Sequence, residues 1–389
     1  MKIAILTQPL YTNYGGILQA YAVQKILKDM GHEVITLDLR KSDATYSMSI
    51  YLHLNAFIKT FIYFLIGKIK AKEVFFPFNN KSRNQFLIRY SMQSFIDRII
   101  NRTPILKTET EIKKYIEEQK FDAYIVGSDQ VWRPIYSPNI EWFFLSFLSD
   151  NSNAKRIALS ASFGISEWEF TKQQTIIVSK LAKKFDAISV REISGINLCH
   201  EYLKVNALQI IDPTMMLDPK DYTDLFELDK ENTENSSGII FTYILDISDD
   251  KKKLIDFISR KLKKATKSLN INIEIPPYAS KKATMRMAPK PVAQWIRNFM
   301  ESDFVVTDSF HGTVFSILYH RPFLVVANKS RGLARIETLL GTFGLLDRLV
   351  ESINNKTEEY IIKEIDWNKV DKILKGKRTD FQNFLINNL

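Results

Sequence analysis

The first forty residues contain two short apolar runs separated by a segment with helical spacing. Residues 2–7 and 34–39 are the apolar runs, and apolar side chains recur at helical spacing over residues 15–30. Continuous apolar runs of this length are typical of buried strands, and the spacing between them predicts an amphipathic helix. Two strands that flank one helix indicate a right-handed βαβ unit in a parallel sheet.

The same alternation resumes after an interruption at residues 50–118, whose mostly helical patterns predict a helical insertion. Further strands are predicted at 122–126, 156–160, 187–190, 208–212, 238–245, 304–307 and 323–326. Further helices are predicted at 250–267, 291–301, 314–319, 334–343 and 368–387. Alternating strands and helices predict an α/β architecture, here two halves, residues 1–205 and 206–389, with a cleft between them. The last helix is placed so that it can pack back on the N-terminal half.

The composition is that of an ordinary globular protein, with 45% hydrophobic and 25% charged residues. The single cysteine, Cys199, excludes an internal disulfide and favours a reducing compartment. Uninterrupted apolar windows of about 18 residues are lacking, so we expect no transmembrane helix. These observations together predict a cytoplasmic protein.

The positive charge is concentrated in one segment. The formal net charge is +10, and residues 55–115 contain 12 Lys or Arg against 4 Asp or Glu. Two interpretations remain open. Basic, aromatic helical segments can lie on an anionic membrane surface, here the inner membrane face. Alternatively, the insertion packs its apolar side on the core and leaves its lysines in water. Nucleic-acid motifs do not accompany the charge, so nucleic acid is not an expected partner.

Loops that follow strands are the candidate site, because open α/β sheets bind ligands at the carboxyl ends of their strands. Residues 8–16 (QPLYTNYGG) lead into a helix, and Gly15 and Gly16 allow a ligand to approach the backbone closely. Their spacing fits neither a Rossmann fingerprint nor a P-loop, so this is either a plain turn or a binding loop. Residues 127–132 (GSDQVW) combine hydrogen-bonding side chains with an aromatic ring, which suits carbohydrate; the alternative is a capped turn.

Two further loops carry groups suited to anion binding and proton transfer. Arg191 follows the strand 187–190 and either binds a carboxylate or phosphate or pairs with Glu192 or another acid. His311 lies in residues 308–312 (DSFHG), at the end of a buried strand and just before a helix predicted to start near residue 313. This position suits proton transfer near neutral pH better than simple packing.

A basic loop follows the next predicted strand. Lys329, Arg331 and Arg335 lie in the same predicted half as His311, which indicates an anionic ligand unless the loop is merely solvated. The remaining histidines and the one cysteine have no metal-ligand spacing, so no metal is expected.

Taken together, these segments resemble the polysaccharide pyruvyl transferase family. The resemblance rests on residues 13–24 (NYGGILQAYAVQ), 127–132 (GSDQVW), 189–192 (SVRE), 210–217 (IIDPTMML) and the stretch from 291 to 323, in the expected order over nearly the whole chain. It implies a fold like the GT-B glycosyltransferases, with two Rossmann-like domains facing a cleft. It also implies phosphoenolpyruvate as donor, with no further cofactor. The implied acceptor is a sugar in a precursor of an exopolysaccharide or capsule, and the product is a cyclic pyruvate ketal.

The resemblance also implies roles for particular residues. His311 matches the motif histidine of the family and is expected to act as the acid/base, and Arg191 matches an arginine expected to bind the donor. Ser309 stands where some members have arginine, so Arg331 or Arg335 is expected to compensate, with Lys329 as an additional donor contact. The residues expected to face the acceptor are Asn13, Gly15, Gly16, Ser128, Asp129, Gln130 and Trp132.

Two other functions remain open from the sequence. A GT-B glycosyltransferase that uses a nucleotide sugar would need an acidic residue after a C-terminal strand to bind the ribose. A non-catalytic scaffold for polysaccharide assembly would not need the His311 motif, which is intact here. A lipid-linked oligosaccharide acceptor would give the basic segment a reason to contact the membrane.

Overall fold

Two parallel β-sheets organise the chain in the computed structural model, which describes residues 1–10, 13–41, 58, 61–68, 92–228, 233–269, 290–353 and 355–389. The first sheet contains β1 (Lys2–Leu6), β2 (Glu33–Thr36), β3 (Ala123–Val126), β4 (Lys155–Ala161), β5 (Ala187–Val190) and β6 (Leu208–Gln209). The second contains β7 (Ile240–Tyr243), β8 (Thr266–Ser268), β9 (Phe304–Thr307), β10 (Phe323–Val326) and β11 (Leu349–Val350). The predicted pair of α/β domains is therefore present.

The strand order of each sheet reverses at one point. The first sheet runs β2-β1-β3-β4-β5-β6 and the second runs β11-β10-β9-β7-β8. After β1 the chain continues to a strand at one edge of the sheet, and after β3 it continues toward the opposite edge. The same holds for β7 and β9 in the second sheet. Such a switch point opens a crevice at the carboxyl ends of the two strands, where ligands bind in this class of fold.

Helices connect the strands and begin at residues that suit helix starts. Their bounds are Tyr14–Asp29, Glu109–Gln119, Lys172–Ala182, Ile193–Leu198, Pro219–Glu227, Asp249–Leu262, Val292–Glu301, Phe310–Leu318, Ala334–Phe343, Asn355–Ile362 and Trp367–Asn388. Thr108 and Thr171 each form a capping box with the residue three positions later, and Ser248 accepts from the amide of Lys251. These caps satisfy amides that the first helical turn leaves without intrahelical partners.

Alternation along β1 shows why both faces of the first sheet are covered. Ile3 and Ile5 pack into one apolar cluster, and Ala4 and Leu6 pack into another on the opposite face. Successive side chains of a strand point to opposite faces, so a run that is apolar throughout requires helices on both sides. The first of these clusters continues into the second domain, through Tyr243 and Trp295.

The two domains are joined by aromatic stacking and by the last helix. The ring of Tyr14 stacks on Trp295 at 5.8 Å between centroids, and its hydroxyl donates to the carbonyl of Lys290 at 2.6 Å. In the helix Trp367–Asn388, Arg378 donates to the carbonyls of Met215 and Leu217 at 2.8 and 2.6 Å. The end of the chain accepts hydrogen bonds from Lys155 of β4. The last helix therefore contacts the first domain.

Several predicted elements differ from the observed ones. The helix predicted at 250–267 ends at Leu262, and β8 is an edge strand whose polar residues gave no strand pattern. β6 pairs with β5, so the first sheet extends past residue 205. Residues 50–57, 59–60 and 69–91 of the predicted insertion 50–118 lie outside the described residues. Within the described part of the chain, no helix combines the length and apolar character needed to cross a bilayer.

Candidate functional site

A cavity of about 370 Å³ lies where the carboxyl ends of the two sheets face each other. The first domain lines it with residues that follow β1 and β3: Gln8, Pro9, Asn13, Asp129, Gln130 and Tyr136. The second domain lines it with residues at or after β7, β9 and β10, among them Tyr243, Ser309, His311, Arg331 and Arg335. Both switch points therefore open into one space.

His311 lies in the first turn of the helix Phe310–Leu318, with Ser309 as its N-cap. The helix begins three residues earlier than predicted, because the Ser309 hydroxyl accepts from the amide of Gly312 at 3.3 Å. The imidazole is buried, with 6% of the residue exposed, and it borders the cavity. Its Nε2 lies 3.7 Å from Oδ2 of Asp212.

Gly15 of the first domain packs directly against the ring of His311. A Cβ placed on Gly15 would lie 2.1 Å from Nδ1 of His311 and 2.2 Å from its Cγ. Only glycine leaves room for the ring at this position. Gly15 was predicted to face the acceptor; in the structure it holds one side of the imidazole.

Asp212 is the buried anion beneath His311, and sequence reasoning gave it no role. Its Oδ2 accepts from Nη1 of Arg191 at 2.7 Å, and its Oδ1 accepts from the amide of Thr214 at 3.0 Å and from the Thr214 hydroxyl at 2.6 Å. Burial opposes ionisation, yet His311, Arg191 and Thr214 together hold the pKa of Asp212 well below its ordinary value. The only sequence signal was its place in residues 210–217, after the last strand of the first sheet.

Arg191 is engaged by carboxylates of its own domain. Besides Asp212, it lies 3.5 Å from Oδ1 of Asp129, and its guanidinium lies 4.2 Å from the ring centroid of Phe310. Glu192, one of the partners considered from the sequence, instead accepts from the amide of Phe163 at 2.7 Å. The pairing of Arg191 with other acids, one of the alternatives left open by the sequence, is therefore observed.

Arg335 is a second buried cation near the ring of Phe310. It lies 5.9 Å from that ring and donates to the carbonyl of Arg331, but it forms no ion pair with any residue that the structure describes. Burial and the neighbouring Arg191 lower the pKa of Arg335 to about 10. A buried guanidinium without a counter-ion favours binding of an anion.

Arg331 differs from Arg335 because its charge is already compensated. Its Nε and Nη2 donate to Asp246 at 2.7 and 2.8 Å, and this pairing lowers the pKa of Asp246 to about 2. The backbone of Lys329 forms part of a short 3₁₀ turn, but its side chain lies outside the described part of the structure. Of the three predicted cations, Arg335 alone is seen as a buried charge without an ionic partner.

Asp308 fixes the cavity wall of the second domain and was not singled out from the sequence. Its carboxylate accepts from the amide of Leu245 at 2.6 Å, from Nζ of Lys251 at 2.7 Å and from Nδ2 of Asn328 at 2.9 Å. These bonds tie the segments after β7, β9 and β10 together. Asp308 thus organises the loop that carries His311.

The remaining predicted acceptor residues divide into two groups. Asn13, Asp129 and Gln130 line the cavity, and Nδ2 of Asn13 donates to Asp129 at 3.3 Å. Gly16 is buried in the helix Tyr14–Asp29, and Ser128 is fully buried, with its hydroxyl 3.1 Å from Oδ2 of Asp212. These two residues do not line the cavity but are buried behind the residues that do.

The prediction for Trp132 is wrong. The indole is fully buried, stacks on Phe144 at 4.9 Å and donates from Nε1 to the carbonyl of Phe143 at 3.0 Å. It therefore belongs to the core of the first domain and cannot contact an acceptor. The sequence of a polar loop does not show whether an aromatic residue in it packs into the core or faces the cavity.

Comparisons with known proteins agree with this architecture. A family model described as polysaccharide pyruvyl transferase matches residues 13–330. No curated protein matches the chain. Among solved structures, the chain is similar to the UDP-GlcNAc 2-epimerase from Methanocaldococcus jannaschii, at 11% identity over 96% of this chain and 92% of that one, with a TM-score of 0.51.

Two further solved structures are similar at lower scores. They are a UDP-GlcNAc 2-epimerase from Neisseria meningitidis bound to UDP-GlcNAc (10% identity, 100% of both chains, TM-score 0.49) and a glycosyltransferase from Rickettsia africae (13% identity, 100% of this chain and 93% of that one, TM-score 0.48). At such identities the likeness concerns the fold alone. The predicted GT-B-like arrangement of two Rossmann-like domains is confirmed.

Proposed function

The chain belongs to the polysaccharide pyruvyl transferase family, and we propose that it transfers a pyruvyl group from phosphoenolpyruvate to two hydroxyls of one sugar. The product is a cyclic pyruvate ketal on a surface-polysaccharide precursor, and phosphate is released. The observation that carries this proposal is the buried, uncompensated cation of Arg335 in the same cavity as the His311 imidazole.

Phosphoenolpyruvate suits the end of the cavity that holds Arg335 and His311, because it carries a carboxylate and a phosphate next to the carbon that reacts. Arg335 supplies positive charge and forms no ion pair with a carboxylate of the described residues, whereas Arg191, which also lies against the ring of Phe310, is already paired with Asp212 and Asp129. Ser309, the N-cap of the helix that carries His311, lines the cavity with a serine where some family members have arginine. A preformed cation orients an anion and balances charge as the phosphate leaves.

In the proposed reaction His311 delivers a proton to the methylene carbon of the donor, which makes the adjacent carbon electrophilic. One sugar hydroxyl adds to that carbon, and the second hydroxyl then displaces phosphate from it. One hydroxyl proton replaces the proton used by His311, and the other leaves with phosphate. Asp212, 3.7 Å from Nε2, stays ionised and places a negative charge beside the ring.

The proposed function is tested directly by incubating the protein with phosphoenolpyruvate and candidate glycans. We expect release of phosphate that depends on the glycan, with a matching mass gain on the glycan. Phosphate release without a mass gain, or neither with any glycan, would contradict the proposal.

Replacing Arg335 with glutamine is expected to raise the KM for phosphoenolpyruvate by at least about tenfold, because the donor loses its unpaired cation. The variant should be as stable as the wild type or more stable, since a buried charge without a counter-ion is removed. Steady-state kinetics and thermal denaturation with and without the donor measure both effects. The control is Arg260→Gln, at an exposed position of the helix Asp249–Leu262. An unchanged KM would contradict the assigned role of Arg335.

A nucleotide-sugar donor receives less support from the second domain. Two carboxylates follow the adjacent strands β7 and β9, Asp246 and Asp308, and both are engaged, with Arg331 and with Lys251 respectively. A ribose would have to compete with these ion pairs. The structure therefore favours a small anionic donor.

We also propose that the protein contacts the cytoplasmic face of the membrane when its acceptor is lipid-linked. In residues 61–68, five large apolar side chains are exposed: Phe61, Ile62, Phe64, Leu65 and Ile66. Basic residues are concentrated in the surrounding segment 55–115, part of which lies outside the described residues. Exposed apolar side chains within a basic segment suit an anionic lipid surface.

Sedimentation with phosphatidylglycerol vesicles tests this contact. The variants Leu65→Ser/Ile66→Ser and Lys68→Glu/Lys70→Glu/Lys72→Glu are each expected to bind at least about tenfold more weakly than the wild type. Phosphatidylcholine vesicles serve as the control for charge. Equal binding of the wild type and both variants would contradict the proposed membrane contact.

A further inference from the structure

Tyr136 borders the cavity on the side of the first domain and was given no role from the sequence. The residue is 38% exposed and lies in the turn that follows β3, beyond Gln130. It is the aromatic side chain that this loop brings to the cavity, whereas the ring of Trp132 is buried beneath the loop. The aromatic ring expected near the acceptor is therefore present at a different position.

The ring of Tyr136 is held in place from behind. The guanidinium of Arg133 lies 4.7 Å from its centroid, and Arg133 is itself fixed by two hydrogen bonds to Glu169, at 2.9 and 3.2 Å. The amide of Tyr136 donates to the carbonyl of Arg133 at 3.1 Å, which closes the turn. One face of the ring is thus covered by a cation, and the residue remains 38% exposed at the border of the cavity. A ring that is already ordered loses little conformational entropy when a ligand stacks on it.

Two glutamine side chains that also line the cavity each have a polar atom without a hydrogen-bond partner among the described residues. Nε2 of Gln8 donates to the carbonyl of Gln130 at 2.7 Å and lies 3.1 Å from the hydroxyl of Ser137. Its Oε1 accepts no hydrogen bond from any residue that the structure describes, and Nε2 of Gln130 donates none to them. The cavity wall therefore offers one acceptor and one donor next to an aromatic face.

We propose that Tyr136, Gln8 and Gln130 form the subsite for the pyranose ring of the acceptor sugar. The apolar face of a pyranose packs on an aromatic ring, and its hydroxyls need both donors and acceptors. The charged groups nearby are paired, Asp129 with Arg191 and Arg133 with Glu169, so this end suits a neutral ring. The proposal rests on the proposed function for the identity of this sugar as the acceptor.

Saturation-transfer NMR tests the subsite without any turnover. The probes are the methyl pyranosides of glucose, galactose, mannose and N-acetylglucosamine, each added to the full chain. At least one probe is expected to receive saturation from the wild type, and Tyr136→Ala should weaken its binding at least about fivefold. Tyr136→Phe keeps the ring and should bind as the wild type does. Ile135→Ala is the matched control, because Ile135 is exposed but does not line the cavity.

Donor binding in the same variants separates this proposal from the proposed function. Phosphoenolpyruvate should raise the melting temperature of Tyr136→Ala as much as that of the wild type. The subsite is overturned if the wild type binds none of the four probes, or if Tyr136→Ala binds them equally well. The proposed function fails separately, if phosphoenolpyruvate neither stabilises the wild type nor yields phosphate.

Discussion

Replacing His311 with alanine is expected to lower the rate of pyruvyl transfer by at least about a hundredfold, as for loss of a general acid/base. The imidazole borders the cavity and lies 3.7 Å from Asp212, and no other histidine lines the cavity among the described residues. The fold should persist, because Arg191 and Thr214 still satisfy Asp212. Phosphate release at saturating donor measures the rate, and circular dichroism reports the fold.

His200→Ala provides the matched control, since His200 is exposed in the segment Cys199–Leu203 and does not line the cavity. It should turn over at the wild-type rate. A His311→Ala variant that folds normally and retains near-normal turnover would reject the acid/base role. The proposed donor site would then need another source for the proton.

Replacing Gly15 with alanine is expected to reduce turnover nearly as far as loss of His311, although Gly15 carries no functional group. The added methyl carbon would lie 2.1 Å from Nδ1, a separation that atoms cannot adopt. Relief requires either rotation of the imidazole or separation of the two domains at this contact, and both move the ring away from Asp212. Alanine favours the helix Tyr14–Asp29 by about 0.5–1 kcal/mol, so an activity loss cannot be ascribed to a weaker helix.

Gly376→Ala separates steric effects from helix propensity. Gly376 lies at an exposed position of the helix Trp367–Asn388, and a Cβ there would meet nothing within 4 Å. This control should keep full activity and gain slightly in stability. Full activity of Gly15→Ala would show that the observed contact with His311 is not needed in turnover.

The sequence determined the buried strands most closely. Strands β5, β9 and β10 and the helix Ala334–Phe343 have the predicted bounds, because an apolar run or a helical period is a local property that burial on the sheet preserves. It was less informative for β8 and β11, which lie at the edges of the second sheet. Edge strands bury less surface, so their composition is not constrained toward apolar residues.

The sequence also determined which segments meet at the cavity. Loops after parallel strands share one edge of a sheet, so Asn13, Asp129 and His311 could be assigned to a site before any coordinates were known. The family resemblance is likewise confirmed by the match over residues 13–330. The residue types in the loops and the predicted ends of the strands were sufficient to identify which segments meet at the cavity.

Only the tertiary structure decided which of these side chains are neutralised, buried or left open. Arg331 and Arg335 are four positions apart, yet Arg331 is paired with Asp246 and Arg335 has no ionic partner among the described residues. Trp132 packs into the core, Tyr136 reaches the cavity, and Gly15 meets His311 across the domain boundary. Periodicity and capping act over a few residues, whereas these contacts depend on strand order and on the placement of the two domains.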